Sequence, residues 1–316
     1  MTLSLRDRIS GGLFGLLVGD ALGVPYEFCA ASDLPDPSAI EFVPPKGFRR
    51  SHSSAPPGTW SDDGAQALCL LASLLEHGCL DLVDFSKKLL KWYHEGAFTP
   101  DRRVFDCGIQ TRAAIQALRS GVAPERSGPS GEWDNGNGSL MRVLPLALWH
   151  SGSDAALYAN GRRQSLPTHS HLRSQLCCAF YVLWARELLQ GQRDGWNSAA
   201  EKFLALSRGD RSTARESEFI LAEAHGDSAS GSGYVLDSLW SARSALRETD
   251  YVSVVRAAIA FGEDTDTTAC IAGGLAGIRD GLAGIPERWR NSLRGKEILE
   301  PLLQGLLRTV CPGNNN

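Results

Sequence analysis

Two short stretches of this chain combine carboxylates with hydroxyls: Ser61-Asp62-Asp63 and Asp264-Thr265-Asp266-Thr267. Ser61, Asp62, Asp63, Asp264, Asp266 and Thr267 together offer six oxygen donors. Such a set suits magnesium or manganese better than zinc, which favours nitrogen and sulfur. Four carboxylates gathered without cations would repel one another severely. Each cluster also has a plainer explanation, because Ser and Asp are ordinary helix N-caps and a first-turn acid is stabilised by the helix dipole by ~0.3–1 kcal/mol. Either cluster alone fits a cap as well as a ligand set. The pairing of two such clusters, each leading into a helix of small and apolar residues, favours the ligand set. Neither spacing puts both acids on one face of a regular helix, so the clusters must converge from loops or first turns.

The elements that would position them are helical. Apolar residues recur at three- and four-residue spacing over 5–19, 62–77, 82–94, 107–119, 139–150, 171–190, 196–206, 233–247, 251–261, 266–282 and 296–309, and strand-like alternation is almost absent. The predicted fold class is all-α, with Gly78, Gly121 and Gly191 marking helix ends. The helix after the second cluster carries Ala269, Ala272, Gly273, Gly274, Ala276 and Gly277. Such a helix has poor intrinsic propensity but lets backbones approach closely, which would bring the clusters together. Residues 32–60 and 122–137 read as long loops, 226–233 (GDSASGSG) as a flexible tip, and 313–316 as a disordered tail. With no linker between two cores and no repeat, residues 1–312 are expected to form one domain.

Composition narrows the function. The 316 residues carry a formal charge of -4, with Lys and Arg scattered, so direct nucleic-acid binding is not expected. Eight cysteines without C-x-x-C spacing argue against a disulfide or zinc framework. The short apolar stretch at 11–18 runs into Asp20 instead of a cleavage site, and no uninterrupted apolar run reaches membrane-span length. The expectation is a cytoplasmic protein without a membrane partner.

Other residues carry weaker signals. Glu27, between Tyr26 and Phe28, is either a solvated loop acid or a carboxylate whose pKa those rings tune. Asp106 precedes an apolar helical run and fits an N-cap. Asn135, Gly136, Asn137, Gly138 and Ser139 open a helical pattern, so their N–H groups could meet a phosphate, although no P-loop Lys follows. His169 and His171 form His-x-His without the further ligands a transition metal needs, and Thr168 reads as a cap of the next helix.

The blocks GGLFGLLVGDALGVPYEF (11–28), GTWSDDGAQAL (58–68), FDCGIQTRAAI (105–115), DNGNGSLMRVLPLAL (134–148), THSH (168–171) and GEDTDTTACIAGGLAGIRDGLAGIPERW (262–289) resemble, in this order, the ADP-ribosylglycohydrolases, which include the dinitrogenase reductase-activating glycohydrolase. The resemblance spans nearly the whole chain. It implies a compact, orthogonally packed helical bundle holding two Mg2+ or Mn2+ ions on Ser61, Asp62, Asp63, Asp264, Asp266 and Thr267. It also implies catalytic roles around Glu27, Asp106 and Asp63, and ADP-ribose contacts from residues 135–139, with Asn137 and Ser139 foremost among the side chains, and from His169. The family usually has Thr at the position of Ser61 and often at that of Gly64; Ser61 keeps the hydroxyl.

The expected reaction is hydrolysis at the ribose anomeric carbon through an oxocarbenium-like centre, with Glu27 or Asp106 assisting proton transfer. ADP-ribosyl-arginine on protein is the expected substrate. Serine-linked ADP-ribose and O-acetyl-ADP-ribose are the alternatives within this chemistry. A catalytically silent ADP-ribose-binding or inhibitor protein, and a nucleotide phosphohydrolase, are the readings outside it.

Overall fold

The structure, a computed structural model, describes residues 3–312; the expected tail at 313–316 lies outside them. Among the described residues there are helices and no strand, so the chain is all-α. The helices are α1 (Leu5–Gly23), α2 (Asp62–His77), α3 (Leu82–Glu95), α4 (Ile109–Arg119), α5 (Pro124–Ser127), α6 (Leu144–Trp149), α7 (Asp154–Arg163) and α8 (Leu172–Leu189). They continue as α9 (Trp196–Ser207), α10 (Arg211–Ile220), α11 (Ala224–Asp227), α12 (Val235–Ala245), α13 (Tyr251–Ile259), α14 (Thr265–Asp280), α15 (Glu287–Ser292) and α16 (Lys296–Val310).

The centre of the fold is a seam between α1 and α14, both buried over most of their length. The contact is backbone on backbone. A Cβ at Gly11 would lie 2.1 Å from Gly277 O, one at Gly15 2.4 Å from Gly273 O, and one at Gly19 2.1 Å from Ala269 O. These pairs run in opposite senses along the two helices, so α1 and α14 are antiparallel and Gly23 meets Asp266. The small residues of α14 therefore do permit close packing, but against a four-residue glycine stripe on α1 that apolar periodicity does not reveal. By length and composition the segment Leu5–Tyr26 could cross a membrane, and its apolar 18-residue window is buried inside the protein.

Two longer helices, α7 and α10, escaped the apolar pattern, as did the short α5, α11 and α15. The buried face of α10 is Thr213, Ser217 and Ile220, and α7 buries Leu157, Tyr158 and Gly161. Their stripes contain hydroxyls and glycine, although their caps, Asp210 and Ser153, conform to rule. The expected helix at 139–150 begins only at Leu144, because Pro145 is tolerated in a first turn but not further inside a helix. The 226–233 segment, expected to be a flexible tip, is tied down. Asp237 of α12 accepts from Ser230 N (2.8 Å) and Ser232 N (2.5 Å), and Ser241 Oγ accepts from Gly231 N (3.0 Å). The anchoring groups are on a helix that follows the segment, where its own composition gives no hint of them.

Candidate active site

Both acidic clusters sit at helix starts. Ser61 is the N-cap of α2, its hydroxyl accepting from Asp63 N at 3.3 Å, and Asp264 is the N-cap residue of α14. The α1–α14 seam delivers the start of α14 to the end of α1, and Asp20 of α1 then captures the start of α2. Its Oδ1 accepts from Ser61 N (2.9 Å) and its Oδ2 from Gly64 N (2.8 Å). Gly64 has no room for a side chain, since a Cβ would meet Leu17 Cδ2 at 2.6 Å and Trp60 Cγ at 2.9 Å. The departure from the family's threonine thus matches the packing around Asp20. Sequence reasoning passed over Asp20; a carboxylate within the apolar run from Ile9 to Val24 was the available signal. Burial pushes its pKa up to about 7 against the hydrogen bonds that oppose the shift.

The clusters form the floor of a cavity of about 1010 Å³. Asp62, Asp63, Asp264 and Thr267 reach its wall, and Ser61 and Asp266 lie buried beside them. Burial raises the pKa values of Asp62, Asp63, Asp264 and Asp266, and neighbouring carboxylates add to it: Asp106 at Asp62, Asp266 at Asp63, and Glu27 at Asp266. Asp63 Oδ1 and Asp266 Oδ2 are buried without a hydrogen-bond partner. A buried carboxylate oxygen left in that state calls for a cation or a proton.

Glu27 stands over the second cluster, with one oxygen each from Glu27, Asp264 and Asp266 within 4.8 Å of one another. It is 4% exposed and so is not a solvated loop acid. Burial, then the charges of Asp106 and Asp264, push its pKa up to about 11. His52 Nε2 lies 2.5 Å from Glu27 Oε2, and burial lowers the His52 pKa. Burial favours the neutral form of both partners. Asp106 completes a second group with Glu27 and His52. It does not cap α4, whose N-cap is Gly108; its Oδ1 accepts from Cys107 N at 2.8 Å and it lines the cavity. Three residues bordering the site, Phe28, His52 and Glu263, hold positive φ (62°, 46° and 56°), a cluster of backbone strain of the kind that marks functional loops. Phe28 N donates to Glu263 O (2.7 Å) and Glu263 N to Cys29 O (2.8 Å), clamping the end of α1 to the start of α14.

The glycine-rich segment forms one wall. Asn135, Gly136, Asn137 and Gly138 line the cavity, and Asn137 Nδ2 donates to Asp264 Oδ2 at 2.7 Å. The wall is held by pairing with the 233–235 backbone: Asn137 N to Gly233 O (3.1 Å) and Val235 N to Asn135 O (3.0 Å). Two expectations are corrected here. The segment does not open a helix, since α6 starts at Leu144, so no helix N-terminus faces the cavity at this point. Ser139 is fully buried behind the wall, where its hydroxyl accepts from Ser165 Oγ at 2.7 Å, and does not line the cavity.

Behind the same wall, fully buried Arg142 donates to Gly138 O (3.3 Å), Gln66 Oε1 (2.8 Å) and Gln164 O (3.0 Å). Gln66 in turn donates to Asp62 Oδ2 at 2.8 Å, so one guanidinium couples the wall to the first acidic cluster. His169 lines the cavity with its ring edge against Gly138, and burial followed by the Arg142 charge lowers its pKa to about 3. Its ring is neutral, and Nδ1 is paired with the Thr168 hydroxyl at 2.8 Å. The helix cap expected at Thr168 is supplied by His171, whose ring accepts from Arg173 N.

Comparison with known proteins agrees with this arrangement. A family model described as ADP-ribosylglycohydrolase matches residues 1–315. The chain is 30% identical to the ADP-ribosylarginine hydrolase of Serratia proteamaculans over 320 residues, covering 95% of this chain and 79% of the relative. It is also 30% identical to the ADP-ribosyl-[dinitrogen reductase] glycohydrolase of Rhodospirillum rubrum over 293 residues, covering 92% and 91%. A solved structure titled ADP-ribosylglycohydrolase-related protein complex superposes with a TM-score of 0.78 at 31% identity, covering 96% of this chain and 98% of that one. The chain belongs to the ADP-ribosylglycohydrolase family. It is an enzyme that hydrolyses a glycosidic bond to ADP-ribose.

Proposed function

We propose that this enzyme cleaves the bond between the ribose anomeric carbon of ADP-ribose and an arginine side chain of a modified protein. In this reading residues 1–312 act as one domain, with two magnesium or manganese ions held by Ser61, Asp62, Asp63, Asp264, Asp266 and Thr267. The observation that carries it is the pair of orphaned oxygens, Asp63 Oδ1 and Asp266 Oδ2, buried among carboxylates at one cavity floor. Hard oxygen donors in that number fit these ions. Bound there, the ions supply charge neutralisation and Lewis-acid polarisation of the sugar oxygens.

The remaining chemistry belongs to the chain. Asn137 and the backbone of Gly136 and Gly138 orient the ADP-ribose, with Asn135 at their edge and neutral His169 beside Gly138. Glu27 accepts a proton from the attacking water, and His52 holds that carboxylate in place. Glu27 is favoured over Asp106 as the base because it reaches both the Asp264–Asp266 pair and His52. Burial, then repulsion from Asp106 and the clustered aspartates, holds the Glu27 pKa up, and neutralising the cluster weakens the repulsive part of that shift and favours the ionised base. Asp106 faces the developing positive charge on the ribose. One relative, named for ADP-ribosylarginine, supports arginine as the acceptor, and a second, named for ADP-ribosyl-[dinitrogen reductase], supports a protein as its carrier.

Mass spectrometry of the products tests this directly. Arginine-ADP-ribosylated peptide, incubated with the enzyme and Mg2+ or Mn2+, is expected to yield free ADP-ribose and unmodified peptide. Cleaved diphosphate would indicate a phosphohydrolase, and an unchanged peptide a silent binding protein. Turnover confined to serine-linked peptide or O-acetyl-ADP-ribose would move the acceptor assignment.

A further inference from the structure

The floor of the cavity is buried, but its mouth is apolar and bare. Ile109 is 86% exposed, Trp133 89% and Phe28 69%, and all three line the same cavity. Large apolar side chains left in water at the edge of a cleft mark a surface that another molecule covers. The backbone beneath them is already ordered. Gln110 Nε2 donates to Trp133 O (3.3 Å), Asn135 Nδ2 to Glu132 O (2.6 Å), and Gly131 N to Asp134 Oδ2 (2.8 Å). An aromatic side chain on a backbone already held in place reduces the ordering cost of binding.

Charge identifies the occupant. Glu132 and Asp134 flank Trp133, and with Asp106 they place three carboxylates on the lining near these apolar groups. Among the described residues the lining has one guanidinium, Arg173, and it is engaged by Glu216 (2.5 Å) and Tyr234 (2.7 Å). Carboxylates at an open mouth attract cationic side chains and repel acidic ones.

We infer that this rim docks the acceptor as a segment of basic protein, with Trp133 and Ile109 against the backbone and aliphatic stems around the modified residue. Glu132 and Asp134 hold neighbouring Arg or Lys side chains. The inference rests on the arginine-acceptor reading and deepens it: the enzyme selects a macromolecular ADP-ribosyl-arginine over the free ADP-ribosyl-arginine conjugate.

The test compares kcat/KM of the full-length enzyme, with its divalent ion, on an arginine-ADP-ribosylated basic protein and on free ADP-ribosyl-arginine. Trp133→Ser, Ile109→Ser, the double variant and Glu132→Gln are each measured, with far-UV CD and Tm as folding controls. The double variant is expected to lose about 10- to 100-fold on the protein and less than about twofold on the free conjugate, as for the loss of interface anchors. Glu132→Gln should lose less on the protein and flatten the fall of kcat/KM with added salt. Equal losses on both substrates would mean that the rim binds ADP-ribose itself, and would overturn the inference. So would unchanged kinetics on both, or a wild-type dimer that Trp133→Ser dissociates without altering selectivity. If wild-type enzyme cleaves neither arginine substrate, the acceptor reading fails first, a result distinct from failure of the docking rim alone.

Discussion

The floor and the rim of the cavity are built on opposite terms. At the floor, helix backbones meet with no side chain between them, Asp62, Asp63 and Asp266 are nearly sealed from water, and a one-carbon addition at Gly19 would strike Ala269 O at 2.1 Å. At the rim, Ile109 projects into solvent from the first turn of α4, and Trp133 from a loop held by a few side-chain to backbone hydrogen bonds. The floor therefore tolerates almost no change in shape, while the rim can be altered without disturbing the core. Such a division suits an enzyme whose bond chemistry is constant and whose acceptor varies.

The sharpest way to break the comparison is at the floor's charge. Alanine at Asp62 or Asp266 is expected to lower kcat/KM by on the order of 10³-fold or more, with the helical CD spectrum largely intact; retained turnover would sink the metal mechanism. Next is its shape. Gly19→Ala should destabilise by ~1–3 kcal/mol through overpacking, whereas Gly209→Ala, with open space around it, should leave Tm unchanged. Thermal melts of the two variants decide this, and equal Tm values would mean the seam yields readily.

Metal removal gives a third, pH-dependent effect. The pKa values of Asp62, Asp63, Asp264 and Asp266 are raised by the fold, so the metal-free folded state keeps protons that the unfolded chain releases near pH 4. Its stability then falls as pH rises above that value, while bound cations favour the charged forms. The Tm difference between Mg2+-loaded and EDTA-treated protein should widen from pH 5 to pH 8; a constant or shrinking difference would remove the cluster from the ion site. The smallest effect belongs to Ser139→Ala. Loss of a buried hydrogen bond should lower stability by about 1 kcal/mol and leave KM within about twofold. A large rise in KM would return Ser139 to the substrate wall.

Much of this was legible in the residues. The helix starts at Asp62 and beside Asp264 followed from caps preceding apolar runs, and the oxygen-rich chemistry followed from residue type. Glu27 and Asp106 were legible only as candidates, since a solvated loop acid and a carboxylate turned into a cavity look alike until burial is known. Asp20 and Arg142 were missed because each acts on atoms far along the chain: Asp20 on Ser61 and Gly64, Arg142 on Gln66 and Gln164. His52 was missed because its loop carries no periodic signal, and Ser139 was misplaced because a glycine-rich turn does not show which face it turns to the cavity.

By itself, the sequence determined the fold class and the two acidic clusters at helix starts, because helical period and side-chain chemistry are local properties. Only the tertiary structure decided how the two clusters meet. Glycines spaced by four on α1 have no side chains to show in a hydropathy pattern, yet their absence of bulk lets α14 approach until Gly23 touches Asp266. It is this backbone contact, with Asp20 reaching across to α2, that turns two ordinary helix caps into one site.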